Sequence, residues 1–333
     1  MRIAVDAMGG DHAPDEIVRG ALLYRTSGGP ADIVLVGRGE AIRDALGNRD
    51  RSGITVVEAS DVVEMHEHPA NALRRRPDTS IGVATALVKR GEADAIVSAG
   101  NTGATVAAAL FTLGRIKGID RPALCGMLPT TAGKPACILD VGATPEAEVR
   151  NLLEYAVMAS RFMESVHGLT RPSVGLLNMG EEEEKGDRLR RETHVALRAA
   201  ATLNFVGNVE GRDVMRGTTD IAVCDGFTGN VLIKGLEGTV DVFREAIRDD
   251  IFGGPLGKIA YLFGLLGVRR MRHKLDYDPY ASAPLLGVDG VSVVTHGRAR
   301  ANMLRWAIVV AERAVSGGLI SAIAQGAATT ARP

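Results

Sequence analysis

The chain is 333 residues long, and its 39 Lys and Arg nearly balance its 40 Asp and Glu, leaving a formal net charge of −1. That balance removes the bulk electrostatic attraction on which non-specific nucleic-acid binding rests, so a nucleic-acid protein is disfavoured. With 46% hydrophobic and 24% charged residues, both a disordered chain and a multi-span membrane protein are excluded, while 40 Gly against 7 Phe, 5 Tyr and 1 Trp favours ligand contact through main chain over aromatic stacking.

The first residues, Met1-Arg2-Ile3-Ala4-Val5-Asp6, read as a strand that leaves no room for a secretory leader. Short continuous runs rich in Val and Ile follow at 3–5, 33–36, 54–57, 95–97, 136–139, 174–177, 205–206 and 221–223, as strands buried on both faces require. Amphipathic stretches between them predict helices over 14–26, 79–90, 102–115, 145–167, 187–201, 229–250 and 298–316. The class is therefore α/β with a mostly parallel sheet wrapped by helices, and no linker divides 1–333 into separate units. The uncharged run 95–114 has the length of a membrane span, but Gly100-Asn101-Thr102-Gly103 breaks it into strand, loop and helix. The tail from Ser316 to Pro333, rich in Gly, Ala and Thr, is expected to fray.

Three cysteines, Cys125, Cys137 and Cys224, lie far apart with no C-x-x-C, which fits a reducing cytoplasm and indicates neither a disulfide framework nor a zinc site. Gly37-Arg-Gly39-Glu-Ala-Ile42 is only a partial dinucleotide fingerprint, and no P-loop or G-x-S-x-G occurs. His66 and His68 precede Pro69 and read as part of an irregular polar loop rather than a metal site. No metal or redox cofactor is expected.

More informative are the strand ends, where open α/β sheets bind ligands. The first strand ends in Asp6-Ala-Met-Gly9-Gly10-Asp11-His12-Ala-Pro14, a glycine pair flanked by carboxylates and an imidazole. Residues 94–104 align without gaps on 220–230, each a strand followed by G-x-T-G: Gly100-Asn101-Thr102-Gly103 in the first copy, Gly226-Phe-Thr228-Gly229 in the second. Each copy reads as a strand turning through glycines into a helix N-terminus, with Thr102 or Thr228 placed to cap free N–H groups and anions welcome at both corners. The run Leu176-Leu-Asn178-Met-Gly-Glu-Glu-Glu-Glu-Lys185-Gly-Asp187 also follows a strand. Its four Glu suit a solvated face, whereas Asn178 and Lys185 would stand at the sheet edge, where a fixed cation can neutralise a phosphate or an oxyanion.

In combination, the segments 5–14, 98–104, 114–123, 139–143, 176–187, 205–210 and 225–231 resemble the bacterial phosphate acyltransferase family PlsX, which makes acyl phosphate from acyl-acyl carrier protein and inorganic phosphate. They follow the family's order across about two-thirds of the chain. The resemblance implies a dimeric, three-layer α/β/α fold akin to isocitrate and isopropylmalate dehydrogenases and phosphotransacetylase. It also implies that Lys185 and Asn230 match the active-site lysine and asparagine, and that the glycine-rich corners, with Asp225 beside the second, match the substrate cleft. Phosphate is already a nucleophile and needs positioning and charge neutralisation more than a covalent enzyme intermediate. Asn101 could share the work of Asn230, and His296, in Thr295-His-Gly297 after a late apolar strand, could protonate the departing thiolate or simply hold a structural hydrogen bond.

The segment 251–274 pairs an apolar stretch with Arg269, Arg270, Arg272 and Lys274, and suits contact with anionic lipid or with acidic carrier protein. The family is peripherally associated with the inner face of the cell membrane, which extends the expected partners to the downstream acyltransferase that uses acyl phosphate. Two alternatives stand beside this expectation: a phosphotransacetylase-like enzyme using acyl-coenzyme A, and a membrane-recruiting scaffold without catalysis.

Overall fold

Along the first strand Ile3 and Val5 enter one hydrophobic cluster and Ala4 a second, and Ile33 and Leu35 oppose Val34 and Val36 in the same way. Apolar side chains on both faces need cover on both, and the fold that results is three layers, with helices on either side of one eleven-stranded sheet. The computed structural model describes residues 1–251 and 278–330.

The strands are β1 (Arg2–Asp6), β2 (Asp32–Gly37), β3 (Ile54–Glu58), β4 (Ala95–Ser98), β5 (Ala123–Leu128), β6 (Ala136–Leu139), β7 (Ser173–Leu177), β8 (Asn204–Val209), β9 (Ile221–Val223), β10 (Ser282–Leu286) and β11 (Val291–Thr295). The helices are α1 (Asp15–Thr26), α2 (Gly39–Leu46), α3 (Pro69–Arg75), α4 (Ser80–Lys89), α5 (Thr102–Ala108, continued by a π-helical turn Ala109–Leu113), α6 (Val149–His167), α7 (Arg188–Ala199), α8 (Gly211–Arg216), α9 (Gly226–Ala246), α10 (Ala301–Ser316) and α11 (Leu319–Thr330). All eight strands expected from the sequence form. β5 and β10 are additional, and β11 is the late apolar strand before His296.

Seven of the ten strand pairings are parallel, so the sheet is mostly parallel. The order is β3-β2-β1-β4-β11-β10-β5-β6-β9-β7-β8. The three antiparallel pairings, β11 with β10, β10 with β5 and β5 with β6, are consecutive in the middle. Three reversals in a row leave β6, β9, β7 and β8 running opposite to β1, β2, β3, β4 and β11. The carboxyl ends of the two parallel halves therefore lie at opposite edges of the sheet.

One layer is built by α6, α10, α11 and α1 over Ile3, Val5, Leu139 and Val223, with Tyr155 and Phe162 fully buried. Helix α6 has a reciprocal cap at its start, Glu148 N–H donating to Asn151 Oδ1 at 2.9 Å, and ends on Gly168 in the left-handed region.

One expectation needs correction. The C-terminal tail does not fray through Thr330: α11 buries Leu319, Ile323 and Ala327 in the main core, because its apolar residues recur at spacings of four and meet α6. Residues 39–46, where the dinucleotide fingerprint is only partial, form a helix whose Ile42 and Leu46, four apart, are buried in the main core. The expected membrane or carrier-protein segment 251–274 lies, from residue 252 onward, outside the described residues. Among those described, no single helix is long and apolar enough to cross a membrane. The bent pair α10 and α11, turning 57°, passes by composition, and both helices contribute to the core.

Ile323 has no exposed surface. Ile323→Ala should cost about 2–4 kcal/mol, measured by urea unfolding of the full chain, whereas a frayed tail would register less than about 0.5 kcal/mol.

Candidate active site

At the first edge β1, β4 and β11 end side by side. Ser98 Oγ donates to Asp6 Oδ2 at 2.7 Å, and Gly100 N–H donates to Ser98 Oγ at 3.0 Å. Burial pushes the Asp6 carboxyl above the usual carboxylate range, and hydrogen bonds from Ser98 and the Met8 backbone pull the other way. Gly9 has to be glycine here, since a Cβ would stand 2.6 Å from Asp6 Oδ2 and 2.7 Å from the Gly100 nitrogen. Asp11 N–H donates to Gly297 O at 2.8 Å, which brings His296 to the same edge, and His12 begins the turn into α1.

The cap of α5 is Asn101 and not Thr102: Asn101 Oδ1 accepts Ala104 N–H at 3.0 Å, because the residue before the first helical one is the one whose side chain reaches back to the free donors. Its amide nitrogen donates to Met65 O at 3.0 Å, so Asn101 ties the 64–68 loop down rather than standing open to a ligand. Thr102 and Gly103 are exposed beside it.

At the opposite edge β6, β9 and β7 end together. Asp140, with no exposed surface, accepts Leu124, Gly142 and Ala143 N–H on Oδ1 at 2.8, 3.1 and 3.0 Å, and Thr144 N–H on Oδ2 at 2.6 Å. Burial raises its pKa and these four donors oppose the rise. The loop they fold presents Val141 O to Asn230, whose Nδ2 donates to it at 3.0 Å. Asn230 is exposed and keeps a second N–H. Gly229 lets α9 dock here, because a Cβ at that position would overlap the Asp140 carbonyl.

The cap of α9 is Asp225 and not Thr228. Asp225 Oδ1 accepts Thr228 N–H at 2.9 Å, and Thr228 Oγ1 donates to Asp225 Oδ2 at 2.7 Å. Burial works to raise the Asp225 carboxyl, but the Thr228 and Arg190 hydrogen bonds outweigh it and leave it below the usual range. Asn178 and Lys185 close the corner: Asn178 Nδ2 donates to Lys185 O at 3.0 Å, and Lys185 is exposed. Glu181 to Glu184 face solvent, with Glu183 paired to Arg198.

Within one chain, then, the structure joins Asn178, Lys185, Asp225, Gly226, Thr228, Gly229 and Asn230 at one edge. It gathers Asp6, Gly9, Gly10, Asp11, Gly100, Asn101 and His296 at the other. Helix α9 connects them, since Asn230, Lys234, Glu237 and Asp241 share one face at spacings of three and four. His296 Nε2 lies 3.1 Å from Glu237 Oε1, Lys234 Nζ donates to Glu237 Oε2 at 2.9 Å, and Arg298 reaches Asp241 at 3.8 Å. Burial alone would raise the Glu237 carboxyl, but His296 and Lys234 bring it down to about 2. Sequence reasoning does not single out Glu237 or Arg190. Arg190 carries no motif, and Glu237 is visible only as a residue seven beyond Asn230.

Residues 1–322 match the family described as "Fatty acid synthesis protein". A curated protein named "Phosphate acyltransferase" from Desulfitobacterium hafniense (strain DSM 10664 / DCB-2) is 49% identical over 325 residues, 97% of this chain and 96% of that one. Among solved structures, a phosphotransacetylase from Streptococcus pyogenes superposes with a TM-score of 0.61 at 17% identity, covering 95% of this chain and 94% of that one. A 4-hydroxythreonine-4-phosphate dehydrogenase from Klebsiella pneumoniae gives 0.54 at 16% identity, covering 94% and 98%. At such identities these two show likeness of fold alone.

Glu237 titrates near 2 in the folded chain against an ordinary 4.5, so folding favours its ionised form. The stability this confers is complete above about 4.5 and is lost as pH falls toward 2. The unfolding free energy of the wild type should exceed that of Glu237→Gln most at about pH 6, and the gap should narrow below about pH 4.5 and close toward pH 2. A gap unchanged across that range would mean that the contact with His296 and Lys234 does not favour the ionised carboxylate.

Proposed function

The chain belongs to the phosphate acyltransferase family, and from that premise we propose that it moves a long-chain fatty acyl group from acyl-acyl carrier protein to inorganic phosphate, giving acyl phosphate for phospholipid synthesis. A phosphate oxygen attacks the thioester carbonyl, the tetrahedral oxyanion collapses, the carbon–sulfur bond breaks, and the carrier thiolate leaves and takes a proton. Lys185 neutralises the phosphate or the oxyanion, and the free N–H of Asn230 donates to the developing charge.

The observation that carries this reading is the second corner, where an exposed lysine after β7 and a half-used asparagine amide after β9 are brought to the same edge of the sheet, beside the closely packed glycines of α9. A covalent acyl-enzyme is poorly served here. Cys224, the thiol next to the corner, is fully buried, and burial pushes its pKa well up, so direct attack by phosphate is favoured over a thiolate relay. His296 is proposed second, as proton donor to the thiolate. Glu237, its partner, lies about 10 Å along α9 from Asn230, so this role requires the donor's sulfur to lie toward the first edge. The residues of that edge are proposed to line the rest of the substrate cleft.

The fold kinship with isocitrate and isopropylmalate dehydrogenases belongs to this same reading, as does a single functional unit over 1–333. A homodimer is supported by an exposed stripe on α9: Phe227, Val231 and Val242 stand 67%, 57% and 66% exposed, with Gly235 and Gly238 between them facing open space. Large apolar side chains interleaved with glycines suit close approach of a second helix. Cytoplasmic location at the inner membrane face, with contact to the acyltransferase that consumes acyl phosphate, is proposed with the segment 251–274 as the contact. Coenzyme A thioesters are the second choice of donor, because the likeness to a phosphotransacetylase is one of fold.

The test incubates the purified chain with palmitoyl-acyl carrier protein and phosphate and traps acyl phosphate as hydroxamate. Lys185→Ala and Asn230→Ala should each lower kcat by about 100- to 1000-fold with the fold intact by circular dichroism. Activity confined to palmitoyl-coenzyme A would replace the donor, and equal activity of both variants and wild type would remove the site.

A further inference from the structure

Lys185 and Asn230 sit on segments that leave the neighbouring strands β7 and β9, paired as far as Leu176 and Val223, and beyond those ends no strand pairing or shared helix joins them: one is the loop between β7 and α7, the other the first turns of α9. Among the described residues, the side chain of Arg190 joins them. Arg190, whose side chain is 14% exposed, donates through Nη1 to Asp187 Oδ2 at 3.0 Å and through Nη2 to Thr228 Oγ1 at 2.9 Å and to Asp225 Oδ2. Its own N–H donates to Asp187 Oδ1 at 2.9 Å. Asp187 lies two residues after Lys185. Asp225 and Thr228 open the helix that carries Asn230.

We propose that Arg190 is a positioning residue for acyl transfer, clamping the Lys185 loop to the Asn230 turn through Asp187 on one side and Asp225 with Thr228 on the other; this rests on the reading that Lys185 and Asn230 serve the reaction. Neighbouring contacts show how little else could do so. On the loop side Arg191 Nη1 donates to Gly186 O at 2.6 Å, and Asn178 Nδ2 holds the Lys185 carbonyl, but neither reaches α9. A planar guanidinium can address two carboxylates and a hydroxyl at once in fixed directions, which an ammonium on a flexible stem cannot. Both carboxylates lie on elements whose first turns they cap, so the clamp is anchored to helix starts rather than to mobile side chains. The clamp touches no reacting atom: with Asp187 and Asp225 beside it, its charge is already answered, and its effect runs through the placement of Lys185 relative to Asn230.

The test uses the full chain with palmitoyl-acyl carrier protein and phosphate, comparing wild type, Arg190→Ala, Arg190→Lys and Lys185→Ala. Misplacing a catalytic group by about 1 Å costs about 100-fold in rate, so Arg190→Ala should lose about that much in kcat while its KM for phosphate stays within about threefold. Arg190→Lys should recover part of the loss. Millimolar guanidinium ion should restore Arg190→Ala saturably and leave Lys185→Ala unrestored, an outcome that a residue needed only for stability would not give. The clamp is overturned if Arg190→Ala keeps kcat within threefold of wild type while Lys185→Ala is inactive, or if neither guanidinium nor Arg190→Lys recovers any of its loss. Full activity in Lys185→Ala would instead overturn the assignment of the site, and the clamp with it.

Discussion

Four backbone N–H groups converge on the side chain of Asp140, a carboxylate with no exposed surface at the point where the central antiparallel strands give way to the second parallel half. A buried carboxylate left unpaired would be costly, and here the loop after β6 folds around it to supply three of the donors, with Leu124 of β5 supplying the fourth. That folding sets the geometry of the corner. The loop offers Val141 O to Asn230, while Gly226 and Gly229 let α9 settle against Asp140 with no room for a side chain between. Asn230 is thus placed by a carboxylate far away in sequence and sealed from solvent.

The reversal of strand direction has a comparable reach. Because three consecutive pairings are antiparallel, the two glycine-rich corners that look like copies of one device face opposite edges of the sheet. The link between them is α9, whose polar face runs from Asn230 through Lys234 to Glu237, which meets His296 after β11. An ion-paired helix face can hold a crossing at a chosen angle while leaving the surface beside it polar.

Much of this is legible in the sequence, for physical reasons that differ by element. Doubly buried strands announce themselves by continuous Val and Ile, so β1, β2, β4, β6, β7 and β9 can be read directly, and β3 and β8 carry short apolar runs of the same kind although they are the outer strands and stay partly exposed. β5, with Cys125, Gly126 and Met127, and β10, with Pro284, carry residues of low strand propensity, and tertiary pairing overrides that preference. The glycine-rich corners are visible, but the sequence points to Thr102 and Thr228 as their caps where the structure has Asn101 and Asp225, since a one-residue uncertainty in where a helix starts moves the cap. Lys185 and Asn230 can be singled out through the family's motifs. Arg190 cannot, because its partners Asp225 and Thr228 are more than thirty residues away and only the packing of α7 against the second corner makes them neighbours.

The position of β11 between β4 and β10 bears on how the chain is made. β4, the apolar run Ala-Ile-Val-Ser, has β1 on one side and β11 on the other, and β11 begins at Val291. Until β11 has been made and has docked, β4 is an open edge with unpaired N–H and C=O groups, ready to accept a strand from another nascent chain. Closure of the first half of the sheet therefore waits on a strand that begins at residue 291, far along the chain from Ser98, and a polypeptide broken off before residue 291 carries that edge permanently.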